Sequence, residues 1–136
     1  MVIDSSAIIA VLLDEPERAE FDRHIEADPV RLVSAVGRVE AGIVIEARKG
    51  DAGRRLLGRF LSLVAPSILA VTPDQAELAL EAFRRFGKGR HPAGLNIGDC
   101  FAYAAAKATG ERLLFKGRDF VHTDVDPVRI GLLTRG

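Results

Sequence analysis

The side chains best suited to chemistry in this 136-residue chain are acids set among apolar or small residues. Asp4 follows the apolar pair Val2-Ile3 and precedes two serines. Glu40 lies four residues after Val36 and three before Ile43, the spacing of one helix face, so it is expected on an inward stripe with them. Asp99 closes the turn Asn96-Ile97-Gly98-Asp99, and Asp119 and Asp124 occupy the loop after the apolar run Leu113-Leu114-Phe115. Each acid also has an ordinary role open to it. Asp4 could cap a helix, Glu40 could pair with Arg38 or a more distant base, Asp99 could complete a capping box, and Asp119 and Asp124 could sit in turns. Gathered in one pocket, such acids repel one another strongly, and a divalent cation is the usual remedy. An all-oxygen donor set, with no histidine or cysteine at metal-binding spacing, suits Mg²⁺, with Mn²⁺ as a substitute, over zinc. An ion of that kind activates water and stabilises the charge on a phosphodiester in transit.

The elements that must position these acids are short. Apolar runs at 2–3, 31–34, 67–71 and 113–115 read as strands, with a last short strand near 128–130. Helical patterns cover 5–13, 17–27, 35–48, 51–64, 73–86 and 97–109, with Gly50 and Gly110 as stops and Thr72-Pro73 and Asn96 as starts. In the helix at 35–48, the stripe Val36, Val39, Ile43 and Ala47 is expected to face the core. Strands alternating with helices argue for a single α/β domain over residues 1–136, built on a central parallel sheet of about five strands flanked by helices. Ligands in such sheets sit beyond the carboxyl ends of the strands, which is where three of the acids are delivered.

Composition narrows the function classes. The chain is 48% hydrophobic and 28% charged, enough apolar surface to fold and too little net charge for disorder. The longest apolar run, 7–13, is far short of the ~20 residues of a membrane span. Asp4 stands where a secretory leader carries positive charge, and the lone Cys100 cannot form an internal disulfide, so a cytoplasmic location is expected. Nineteen basic residues balance nineteen acidic ones, but unevenly: residues 1–30 carry a net −6, residues 31–90 a net +5, and the remainder +1. The basic middle is either solvated helix faces or a surface that meets phosphates. Its densest cluster, Arg84, Arg85, Lys88 and Arg90 with His91, precedes the Asp99 helix and is a candidate phosphate grip; bases there also suit the negative end of the helix finishing near Phe86. The glycine signatures of nucleotide and dinucleotide sites are absent.

Three segments carry a family resemblance. Met1-Val2-Ile3-Asp4-Ser5-Ser6-Ala7-Ile8, the stretch from Gly94 to Ala104 around Asn96 and Asp99, and the stretch from Leu113 to Phe120 with His122-Thr123-Asp124 together resemble PIN-domain proteins, in particular VapC-type toxin ribonucleases. The resemblance implies a PIN-domain fold and an acidic site of Asp4, Glu40, Asp99 and Asp119. Asp4 and Asp99 would be the direct Mg²⁺ ligands, Glu40 and Asp119 would complete the shell, and Ser6 would orient a ligand or water. It also implies endoribonuclease activity as the toxin of a type II toxin–antitoxin pair, a homodimer, an RNA substrate and a cognate VapB-type antitoxin. Arg118 stands where such proteins often carry an acid or asparagine, which leaves Asp119 and Asp124 as rivals for the fourth acid. Two further readings are a non-catalytic module that binds RNA or a partner, and a phosphotransferase with an aspartate nucleophile; the latter is disfavoured because position 6 holds serine, not a second acid.

Overall fold

The computed structural model describes residues 1–131. The last five residues of the expected 1–136 domain lie outside the described residues. The elements run β1 (Val2–Ile3), α1 (Ser5–Leu12), α2 (Arg18–Ala27), β2 (Leu32–Ser34), α3 (Ala35–Val64), β3 (Ser67–Leu69), α4 (Pro73–Phe86), α5 (Ile97–Thr109) and β4 (Leu113–Leu114), then a 3-10 turn, Asp119–His122. The strands form one all-parallel sheet in the order β3-β2-β1-β4, with Val2 opposite both Leu32 and Leu113. β1 is apolar at both positions because it is covered on both faces, as a central parallel strand must be. One core joins Ile3, Ile8, Phe21, Val33 and Ile45 beneath α1, α2 and α3; the other joins Val2, Ala82, Leu95, Tyr103 and Leu113 beneath α4 and α5. No helix among the described residues is long and apolar enough to cross a membrane.

The sheet has four strands where about five were expected. The expected strand near 128–130 is reduced to a single parallel bridge between Leu113 and Pro127. The Leu113 N–H donates to the Asp126 carbonyl and the Val128 N–H donates to the Leu113 carbonyl, each at 2.9 Å. Pro127 has no N–H to extend that ladder. Val128 and Ile130 are nevertheless buried, so the apolar signal read there was one of burial rather than pairing.

α3 is two helices joined at Gly50, the stop expected there, whose φ of 57° and ψ of −137° lie outside the helical region. The bend folds the halves against each other: the Cβ position of Gly53 would fall on the Ile45 backbone carbonyl, and that of Gly42 comes to 3.9 Å from a Leu57 methyl. Side chains on a close helix–helix contact of this kind must be small. The same fact corrects the expected helix phase. Gly37, Ala41, Gly42 and Ile45 face inward, while Val39 and Ile43 are 57% and 64% exposed. Small inward residues carry little hydropathy, so the larger Val39 and Ile43 give a misleading periodic signal.

The hairpin makes a prediction whose sign is diagnostic. In an open helix Gly53→Ala would add roughly 1 kcal/mol of stability. Against the Ile45 carbonyl it should instead cost on the order of 1–3 kcal/mol, measured as a lower urea midpoint with an unchanged m-value. A gain in stability would contradict the close approach.

Candidate active site

Asp4 leaves the carboxyl end of β1 and caps α1. The Asp4 carboxylate accepts from the Ser6 N–H at 3.1 Å and from the Ser6 hydroxyl at 2.5 Å. The same hydroxyl accepts from the Lys116 N–H at 3.0 Å, and the Asp4 N–H donates to the Leu114 carbonyl. Ser6 therefore ties the first acid to the chain leaving β4, the segment that leads to Asp119. Asp4 is only 4% exposed, a burial that aspartate rarely tolerates without a partner.

Asp99 sits in the first turn of α5, where a complete capping box holds it. Its N–H donates to the Asn96 side chain at 2.9 Å, and its own carboxylate accepts from the Asn96 N–H at 3.1 Å. Gly98 beside it is a cradle: a Cβ built there would fall on the Glu40 carboxylate. Glu40 reaches this point from the second turn of α3 and accepts from the Ser5 hydroxyl at 3.3 Å. Asp119 opens the exposed 3-10 turn after β4.

These acids share one electrostatic field. Burial pushes Asp4 up to about 6, against the pull of the Ser6 hydrogen bonds and with a further push from Glu40. Burial likewise raises Asp99 to about 6, with the Asn96 N–H opposing and the charges of Asp4 and Asp119 adding. Glu40 is raised by burial and then by Asp99, with the Ser5 hydroxyl opposing. Asp4 thus feels Glu40, Glu40 feels Asp99, and Asp99 feels Asp4 and Asp119, which links the four acids. Among the described residues no lysine, arginine or histidine nitrogen lies within 4 Å of any of the four carboxylates. The salt bridge considered for Glu40 is therefore not made. Lys116, whose N–H donates to the Ser6 hydroxyl, turns its ammonium to Glu15 and Glu17 instead.

The donor set is all carboxylate and hydroxyl oxygen, the chemistry of a hard divalent cation. Among the described residues, no group of three or more carboxylate, imidazole or thiol side chains stands at coordinating spacing. The acids are gathered at one edge of the fold but not closed into a cage.

Asp124 is placed elsewhere. Its carboxylate accepts from the Tyr103 hydroxyl at 2.6 Å and pairs with Lys107 at 3.2 Å and Arg85 at 3.5 Å. The Tyr103, Lys107 and Arg85 contacts hold its carboxyl below the usual range, although burial acts in the opposite direction. It anchors the loop after β4 to α4 and α5, and the charge that Asp99 feels from that loop is Asp119. Of the proposed phosphate grip, Arg85 is committed to this network and stacks over Phe86 at 4.7 Å, Arg90 lies over Phe83 at 5.6 Å, and Arg84 faces Glu81 at 3.8 Å. Neither Lys88 nor Arg90 makes an ion pair among the described residues. Cys100 is buried core, and the His91 ring accepts from the Ala93 N–H. Ser5 and Gly98 were not singled out from sequence; the only available signals were the serine beside the first acid and the glycine beside the third.

The order of acids, the parallel sheet and the capped α5 define a class, and the family model for the PIN domain matches residues 1–126. The chain belongs to the PIN-domain family. Within it, the chain is 51% identical to Ribonuclease VapC30 of Mycobacterium tuberculosis over 130 residues, covering 96% of this chain and 99% of that one. It is 50% identical to Ribonuclease VapC of Mycolicibacterium smegmatis over 128 residues, covering 94% and 99%. The fold is similar to the crystal structure of Mycobacterium tuberculosis VapC20, a sarcin-ricin loop cleaving toxin. The TM-score is 0.75 at 21% identity, with 95% of this chain and 98% of that one covered.

The raised carboxyls fix a pH dependence. The folded Asp4 and Asp99 hold protons up to about 6, whereas an unfolded aspartate lets go near ~3.9. The folded state binds more protons between those values, so metal-free stability should fall as pH rises from about 4 to about 6 and stay low above. Asp4→Asn removes one such group. In chelator it should be more stable than the natural protein at about pH 7.5, by on the order of 2–3 kcal/mol, and close to it near pH 4. Urea unfolding at the two pH values checks this; equal stabilities at pH 7.5 would contradict the burial.

Proposed function

We propose that this protein is a metal-dependent endoribonuclease, the toxin of a type II toxin–antitoxin pair, that hydrolyses RNA phosphodiester bonds at the Asp4–Glu40–Asp99–Asp119 site. The observation that carries the reading is the set of linked acids at the carboxyl edge, two of them raised to about 6, with no cation of the described chain within reach. Full-length likeness to VapC ribonucleases supports the reaction class. The likeness in fold to a toxin–antitoxin complex from Klebsiella pneumoniae, at a TM-score of 0.67, is consistent with a VapB-type antitoxin as partner. A homodimer is expected from the family.

In this reading Asp4 and Asp99 would hold Mg²⁺, or Mn²⁺ in its place, with Glu40 and Asp119 completing the shell. The bound ion would supply polarisation of the phosphodiester and a lowered pKa for its water. The chain's own residues do the rest. Ser6 fixes the rotamer of Asp4 through two hydrogen bonds, and Asn96 does the same for Asp99. Ser5 and the bare Cα of Gly98 set where the Glu40 carboxylate lies. Glu40, raised by its surroundings, is placed to orient an attacking water and to take up its proton at a carboxylate oxygen. The donors are not closed into a cage, which favours one second reading, a PIN module that binds RNA or a partner without cutting.

Cleavage assays separate the two. The natural protein should cut RNA with Mg²⁺ and stop in chelator. Asp4→Asn and Asp99→Asn should each lower the rate by at least about 10³-fold while remaining folded by circular dichroism. No cleavage by the natural protein with any divalent ion would favour the binding module.

Gly98→Ala isolates the cradle. It should push the Glu40 carboxylate aside and raise the Mg²⁺ concentration for half-maximal cleavage by about 10–100-fold. An unchanged Mg²⁺ titration would return Glu40 to a structural role.

A further inference from the structure

The acidic site poses a problem for its own substrate. Linked carboxylates repel a polyanion, and the chain as a whole carries no net charge to offset them. Cations must therefore be concentrated somewhere that RNA can reach. The cluster at 84–90 is largely spent on Asp124, Tyr103, Glu81 and aromatic rings.

The bend of α3 is different. Arg48, Lys49, Arg54, Arg55 and Arg59 are all exposed, and among the described residues none of them makes a side-chain hydrogen bond or an ion pair. They outnumber the two acids of the same stretch, Glu46 and Asp51, five to two. Arg31 and Arg18 are otherwise employed: Arg31 donates to the carbonyls of Glu26, Asp28 and Val64, and Arg18 faces Asp14 and Asp22. Arg48 and Lys49 end the first half of α3, where the helix dipole welcomes positive charge. Arg54 and Arg55 do not have that excuse. They stand near the start of the second half, close to the positive end of its dipole, where helix energetics favour acids. Arg55 and Arg59 lie one turn apart on the face opposite buried Gly53, Leu57 and Phe60. At Gly50 and Gly58 no atom lies within 4 Å of a built Cβ, so the surface between the cations is open.

We propose that the α3 bend is a phosphate-gripping surface for RNA, in which Arg54, Arg55 and Arg59, with Arg48 and Lys49, hold the strand beyond the cleavage point. The proposal rests on the ribonuclease reading and adds where the substrate lies. Gly50 is ten residues beyond Glu40, roughly 15 Å of helix, so the grip lies beyond the acidic site rather than within it. The contacts go to the backbone and carry no base preference.

The test is made in full-length Asp4→Asn protein, so that binding is read without cleavage. The probe is a labelled single-stranded RNA of about 20 nucleotides, titrated over a range of salt. The triple change Arg54→Gln, Arg55→Gln, Arg59→Gln alters only exposed side chains; Arg84→Gln with Lys88→Gln is the comparison. The triple variant should weaken binding by about 10–100-fold and lower the slope of log affinity against log salt by about two, at ~0.7 per lost phosphate contact. Equal affinity and slope would overturn the proposal and point to another partner for the bend. Weaker binding with an unchanged slope would overturn it too, as a loss of shape rather than of phosphate contacts. Cleavage of the same RNA by the protein with Asp4 intact is run in parallel. Its absence, with binding and slope as expected, would count against the nuclease reading alone and leave the grip standing.

Discussion

Like charges forced into company dominate this structure. Asp4 is buried at the end of a strand, and Glu40 and Asp99 are brought beside it by two helices that start at the same side of the sheet. Nothing among the described residues neutralises them. A fold tolerates this only where another interaction offsets the strain, and here the local devices are visible. Serine hydroxyls and helix-start N–H groups solvate three of the carboxylates, and cap geometry holds two of them, Asp4 and Asp99. The rest of the cost is left standing as raised carboxyls.

Much of the architecture follows from keeping that arrangement in place. The glycine at position 98 exists because a side chain there would collide with Glu40. The Ser6 hydroxyl links the first acid to the chain leaving β4, and the Tyr103–Asp124 pair at 2.6 Å anchors the far end of the loop that carries Asp119. The Lys116 ammonium pairs with Glu15 and Glu17, two acids of the opening segment, and not with the cluster.

The parts legible in the sequence were those with strong local signals. Caps and stops placed α4 and α5 to within a residue, and the acids after β1 and β4 could be assigned to the carboxyl edge from the alternation of strands and helices. Three features were not legible, each for a physical reason. The inward face of α3 is made of Gly37, Ala41 and Gly42, which a hydropathy pattern barely registers, so the exposed Val39 and Ile43 set the wrong phase. Glu40 flanks the buried stripe instead of sharing it with Ile43. The choice between Asp119 and Asp124 depends on tertiary partners, since Tyr103, Arg85 and Lys107 come from distant helices. The bridge at Pro127 looks like a strand in composition and lacks one in hydrogen bonding.

Calorimetric titration of the metal-stripped protein with Mn²⁺, in buffers of different ionisation heat, tests the central claim most directly. The linked carboxylates predict saturable binding that is lost in an Asp4→Asn, Asp99→Asn double variant, with protons released on binding near pH 6 and almost none near pH 8. Absence of binding by the natural protein, or binding with the same proton release at both pH values, would contradict it.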